Sequence, residues 1–119
     1  MGRKIKAAAA HSAPVFMHKA ATIKKAIGLI DDAGSQDIEL LVFPETYIPG
    51  YPYFIECYPP IKQVTALAQY AEQSVTVKTD LKEVQSACAR NKISIVLGVS
   101  ERVADGYTLF NSQVFIAAD

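Results

Sequence analysis

Residues Ile38–Phe43 read IELLVF, and Pro44–Pro60 follow directly as PETYIPGYPYFIECYPP. The first run is short and almost wholly apolar, which fits a strand buried in a parallel sheet. The second holds five of the six prolines and four of the six tyrosines in the chain. Proline fixes φ and lacks a backbone donor, so a segment punctuated this often is neither helix nor central strand. It predicts a long, stiff, aromatic loop leaving the carboxyl end of a buried strand. Ligands of open α/β sheets bind beyond that end, and long loops of this kind are usually functional.

Upstream, Lys4–His11 (KIKAAAAH) is closed by Ser12-Ala13-Pro14. Alanine favours helix, but shortness and the following proline argue for strand. Small side chains on both faces suit a strand covered on both sides. His18–Asp32 places Ala20, Ile23, Ala26, Ile27 and Ile30 at helical spacing, with Gly34 as its stop. Strand, helix, strand is a βαβ unit with a right-handed crossover. Downstream, Ile61–Gln73 predicts a helix with Val64, Leu67, Ala68 and Ala71 as its buried stripe. Asp80 and Glu83 have capping-box spacing. The helix they open shows Leu81, Val84, Ala87 and Cys88 on one face and Asn91 as its cap. Ile93–Val103 and Leu109–Ala117 predict an antiparallel hairpin around Ala104-Asp105-Gly106.

The 119 residues carry 12 basic and 12 acidic side chains and are half apolar. Length suits one domain, and this composition excludes disorder. Zero net charge disfavours nucleic acid as a partner, because phosphates need clustered positive charge. Cys57 and Cys88 form neither a disulfide framework nor a metal-binding spacing. Lys4 and Lys6 interrupt the apolar run within Met1–Ala10, unlike a signal peptide. No apolar stretch approaches a bilayer span, so no membrane partner is expected and the expected location is the cytoplasm. His11-Ser12-Ala13-Pro14 stands where a dinucleotide fold has its glycine-rich turn. Neither His11 nor His18 has a metal-binding partner, so no cofactor and no metal are expected.

Glu45 is the first candidate for chemistry. Pro44 fixes the direction of its carboxylate, and partial desolvation would raise its pKa toward that of a general base. The alternative is a surface acid at a loop start, and position alone leaves both open. Tyr47, Tyr51 and Tyr53 either line a pocket or pack the loop onto the sheet. Cys88 reads as core. Cys57 has no positive neighbour to activate it. Lys62, Lys78, Lys82 and Lys92 read as solvated charges. Glu101 and Arg102 read as an ion pair beside the hairpin.

Phe43–Tyr53 (FPETYIPGYPY) resembles the signature of the nitrilase branch of the carbon–nitrogen hydrolase superfamily. Lys4–Val15, Val96–Arg102 (VLGVSER) and Leu109–Ser112 (LFNS) resemble further elements of that family, in order along the chain. The resemblance implies an α/β fold: a partial αββα sandwich, its mixed sheet carrying helices on one face. It implies a Cys–Glu–Lys triad in which Glu45 is the general base, with the Cys and Lys downstream of Asp119. Residues 1–119 would then be the N-terminal part of one hydrolase domain. The implied reaction takes a small neutral nitrile and water to a carboxylic acid and ammonia through a Cys thioimidate and acyl-enzyme. Hydration of a nitrile or of cyanide to the amide is the close alternative. A non-catalytic fragment acting only in assembly is another. The full-length chain is expected to form homo-oligomers, as dimers or spirals.

Overall fold

The computed structural model describes residues 2–119, leaving only Met1 outside. The elements run β1 (Ala7–Ala9), α1 (Lys19–Ser35), β2 (Leu40–Val42), α2 (Phe54–Cys57), α3 (Pro60–Gln73), α4 (Val77–Asp80), α5 (Lys82–Asn91), β3 (Ser94–Arg102) and β4 (Leu109–Ile116). The strands form one mixed sheet in the order β1-β2-β3-β4. The first three are parallel, and β4 returns antiparallel to β3. Leu41 lies beside Ala8 and Ile95, and Leu97 beside Val114. No helix among the described residues is long and apolar enough to cross a membrane.

The core lies on one face of this sheet. Strand side chains alternate between faces, and Leu41, Ile95, Leu97 and Val99 all point into it. Ala26, Ile30 and Ala33 of α1 cover them together with Val84, Ala87 and Cys88 of α5. Each fully buried Ile, Leu or Val contributes about 1.5–3 kcal/mol of apolar transfer free energy. The two helices are also tied by charge: the Arg90 guanidinium donates to both Asp31 oxygens at 2.7 and 3.0 Å, and Asn91 donates to one of them at 2.7 Å. On the opposite face Val42 and Phe115 are exposed. The expected mixed sheet with helices on one face is therefore present.

Several local expectations give way. β1 is not covered on both sides: it is the sheet edge, with Ala7 and Ala9 exposed. α1 does not stop at Gly34 but runs to Ser35, and Asp37 takes the positive φ. Gly34 instead lets Asn91 approach, since a Cβ there would lie 2.2 Å from its Oδ1. His18 caps the start of α1, its Nδ1 accepting from the Ala21 N–H at 3.1 Å. The long loop contains the single-turn α2, which fits between Pro52 and Pro59. α3 docks through Gln63, Tyr70 and Ala71. Of the expected stripe only Ala71 is buried; Val64, Leu67 and Ala68 face outward, with Val64 63% exposed, because nothing among the described residues covers them. Asp80 ends α4 instead of capping α5, accepting from the Thr76 N–H and from Lys19. Lys92, not Asn91, adopts the left-handed conformation after α5.

Candidate active site

The site is built where β2 gives way to the proline-rich loop. Phe43 extends the strand by one bond, its N–H donating to the Val96 carbonyl at 2.9 Å. Pro44 then ends the ladder, and Glu45 follows. The chain does not leave the sheet. It passes over β3 and pairs again, with the Ile48 N–H on the Gly98 carbonyl and the Ser100 N–H on the Ile48 carbonyl.

That path requires a glycine beneath it. A Cβ at position 98 would lie 2.2 Å from the Pro44 oxygen, 2.8 Å from the Thr46 nitrogen and 3.0 Å from the Glu45 Cα. Thr46 takes a positive φ of 42°, and Gly50 one of 118°. The loop is pinned from three sides. Tyr70 of α3 donates its hydroxyl to the Gly50 carbonyl at 2.8 Å. Met17, before α1, donates its N–H to the Pro49 carbonyl at 2.9 Å. Ser100 of β3 donates its N–H to the Ile48 carbonyl at 2.8 Å. The Thr46 hydroxyl oxygen is buried with no partner among the described residues.

Glu45 is exposed, so the partial desolvation expected at a strand exit is not supplied by residues 2–119. Its carboxylate is nevertheless held: Asn111 Nδ2 on β4 donates to Glu45 Oε1 at 2.6 Å. Sequence reading missed this contact. Two signals were available: Asn111 lies in the LFNS element that resembles the family, and asparagine is depleted in strands.

Glu45 borders a recess of about 460 Å³ shared with Gly98 and Asn111, and two further cavities. The larger, about 700 Å³, is lined among others by Phe16, Tyr51, Tyr53, Cys57 and Tyr58. The smaller, about 320 Å³, lies against Thr46, Tyr70, Ser100 and Asn111. No Lys, Arg or His among the described residues lines either.

The three tyrosines part company. Tyr47 is buried, its ring 5.2 Å from that of Phe43, its hydroxyl donating toward Ser12 and the Ala13 carbonyl at 3.4 Å. It anchors the loop and shows the larger cavity only part of its surface. Tyr51 and Tyr53 pack ring to ring at 4.8 Å on the cavity wall. Tyr51 donates to Glu56 at 3.1 Å, and that carboxylate holds the phenol above its ordinary pKa. Cys57 is exposed on the same wall. Cys88 is buried in the α1–α5 core, where desolvation pushes its thiol up to about 11. Glu101 and Arg102 do not pair. Neighbours on a strand point to opposite faces, so Glu101 accepts from Ser112 while Arg102 lies 6.0 Å from the Tyr107 ring.

A mixed sheet with helices on one face, and a glutamate set at a strand exit over a glycine, describe a carbon–nitrogen hydrolase. Residues 6–119 match the carbon–nitrogen hydrolase family, and the chain belongs to it. An aliphatic nitrilase from Rhodococcus rhodochrous is 40% identical over 116 residues, covering 95% of this chain and 30% of that one. A nitrilase from Paraburkholderia phymatum is 37% identical over 118 residues, covering 98% and 34%. A cyanide hydratase from Gibberella zeae is 35% identical over 117 residues, covering 98% and 32%. The chain thus spans about a third of the length of these relatives. The fold is shared with a glutamine-dependent NAD(+) synthetase from Cytophaga hutchinsonii, with a TM-score of 0.58 at 18% identity over 96% of this chain and 17% of that one.

Proposed function

We propose that these residues supply the general base, Glu45, to a hydrolase that converts a small organic nitrile and water to a carboxylic acid and ammonia. The observation that carries this reading is the placement of Glu45. Its carboxylate is fixed by Asn111 at the edge of an aromatic cavity of about 700 Å³. Tyr51 and Tyr53 are proposed to line the substrate subsite, and Tyr47 to brace the loop behind it.

The chemistry needs three groups. A cysteine thiol attacks the nitrile carbon while Glu45 takes the thiol proton, giving a thioimidate. Water, activated by the same carboxylate, adds to it. Ammonia leaves, and a second water releases the acid from the thioester. A lysine stabilises charge at the former nitrile nitrogen. By family resemblance the cysteine and lysine follow residue 119, so residues 1–119 form the N-terminal part of one domain and turn nothing over alone. No cofactor or metal enters these steps. The full-length chain is proposed to work in the reducing cytoplasm, as a homo-oligomer.

If the tetrahedral intermediate expels the thiol instead of ammonia, the product is the amide. The similarity to a cyanide hydratase keeps that second reading open to assay.

The test is Glu45→Gln in the full-length protein. Loss of a general base removes about 10²–10⁴-fold of rate, read as ammonia release, with the thermal midpoint unchanged. Near-normal turnover refutes the role. Ammonia release by the 119-residue chain alone would refute the placement of the other two groups beyond it.

A further inference from the structure

We propose that Asn111 is a positioning residue for the general base: it orients one carboxylate oxygen of Glu45 and leaves the other free to take protons. This rests on the reading of Glu45 given above.

The geometry is specific. Asn111 sits on β4 opposite Ser100 of β3. Alternation along the strand puts Asn111, Gln113 and Phe115 on one face, beside Gly98 and Val96, the pairing partners of Gln113 and Phe115. This is the face over which the Glu45 backbone passes, on the space left by Gly98. Asn111, Gly98 and Glu45 line one shared recess. Nδ2 donates to Oε1 at 2.6 Å, and Oε2 receives no donor from the described residues. Only the amide nitrogen suits that contact, since the amide oxygen would set acceptor against acceptor.

The chemistry explains why an amide stands there. A hydrogen bond to the charged form favours the carboxylate. A neutral donor orients the carboxylate without setting the full charge of a lysine or arginine against it. The other titratable groups lining the Glu45 cavities are Tyr47, Tyr51, Tyr53, Tyr58, Tyr70 and Cys57, all ordinarily neutral near pH 7. Glu56 reaches them only through Tyr51. On β3, Glu101 is engaged by Ser112, and Arg102 lies by Tyr107. Asn111 is therefore the polar side chain among the described residues that fixes the direction of the Glu45 carboxylate. A packing role is a poor alternative, because the residue is exposed and asparagine weakens strands.

The experiment uses the full-length protein with Asn111→Leu, Asn111→Asp and Glu45→Gln, each assayed for ammonia release across pH and for thermal midpoint. Asn111→Leu keeps the shape and removes the donor. It is expected to lower kcat about 10–100-fold, the range of one hydrogen bond to a charged group, with KM within twofold. Asn111→Asp sets a like charge beside the carboxylate and should lower kcat at least as far. A merely structural role would lower the thermal midpoint and leave kcat of the folded protein unchanged, which overturns the proposal. So does wild-type kcat in Asn111→Leu. If that variant fails to fold, Asn111→Asp carries the same readout. Should Glu45→Gln be inactive while both Asn111 variants behave as wild type, only this inference falls. Should Glu45→Gln be active, the base assignment falls and takes this inference with it.

Discussion

Replacing Gly98 by alanine tests whether the sheet itself positions Glu45. Gly98 lies between Leu97 and Val99, both fully buried, in a strand where almost any larger residue would be favoured. Its added Cβ would meet the Pro44 oxygen at 2.2 Å, where ordinary contact begins at 3.4 Å. The shortfall is about 1.2 Å against normal van der Waals separation. All three atoms it meets are backbone, so no side chain can swing away. β3 is locked to β4 along Ile95–Arg102, so the loop carrying Glu45 is the part that lifts. Overpacking of this kind costs about 1–3 kcal/mol, offset by about 0.4–1 kcal/mol because alanine narrows the unfolded ensemble. The net destabilisation is therefore modest, about 0.5–2 kcal/mol.

The effect on rate is expected to be larger. A lift of about 1 Å takes the Asn111–Glu45 contact from 2.6 Å past the limit of a hydrogen bond. It also misplaces the proposed base by a distance that costs about 100-fold in rate. Urea unfolding and ammonia release, measured on full-length Gly98→Ala, separate the two. Activity should fall by about two orders of magnitude while the protein stays folded. A variant with wild-type midpoint and turnover within twofold would refute the reasoning, because it would show that the loop accepts a side chain beneath it at no cost.

Other consequences follow from burial and charge. A thiol reagent near pH 8 should label exposed Cys57 at once and Cys88 only on unfolding, since Cys88 is buried with its thiol raised to about 11; rapid labelling of two thiols in the 119-residue chain would contradict the packing of α5. The Asp31 carboxyl is held below its ordinary value, first by Asn91 and then by Arg90. Its stabilisation is present above the unfolded-state pKa and is lost as pH falls through the folded value. Asp31 is half exposed, so screening limits the effect to about 0.5 kcal/mol. Asp31→Asn should be less stable than wild type at pH 6, and the gap should narrow as pH falls below the ordinary carboxyl range. Tyr70→Phe strands the Gly50 carbonyl that its hydroxyl reaches, and should cost about 1–3 kcal/mol in urea unfolding.

The parts of the fold legible in the sequence are those whose partners lie within these residues. The stripe Leu81, Val84, Ala87 and Cys88 is buried as its spacing implies, because α1 and the sheet are both here to cover it. The hairpin forms because its turn and both strands are contiguous. The stripe on α3 obeys the same periodicity, yet Val64, Leu67 and Ala68 are exposed and only Ala71 is buried. Periodicity reports that a helix has an apolar face, not what meets it. Asp80 misled for a related reason. Its spacing to Glu83 fits a cap, but Lys19, 61 residues away, and the Thr76 N–H both take its carboxylate. Tertiary contact outweighs a local cap worth about 1 kcal/mol.

Glu45 was legible because its neighbours in sequence, Phe43 and Pro44, define where it stands. Asn111 was not, because it reaches Glu45 from 66 residues away, and no local pattern records a cross-sheet contact. What the structure adds is that departures from local preference gather at this carboxylate. Asp37 and Lys92 also take positive φ, but each follows a helix C-terminus, where left-handed geometry closes the turn; Met17 takes it just before α1, where its N–H meets the Pro49 carbonyl of the Glu45 loop. Thr46 has no such reason. Beside it stand a glycine in a central strand, an asparagine in an edge strand and a buried hydroxyl with no partner. Each weakens folding by itself. All of them touch or adjoin Glu45, and the α1–α5 core holds none of them. Stability given up at one place, in a sequence otherwise locally consistent, is what a functional site requires, so these residues constrain the position of the carboxylate more than they support the fold.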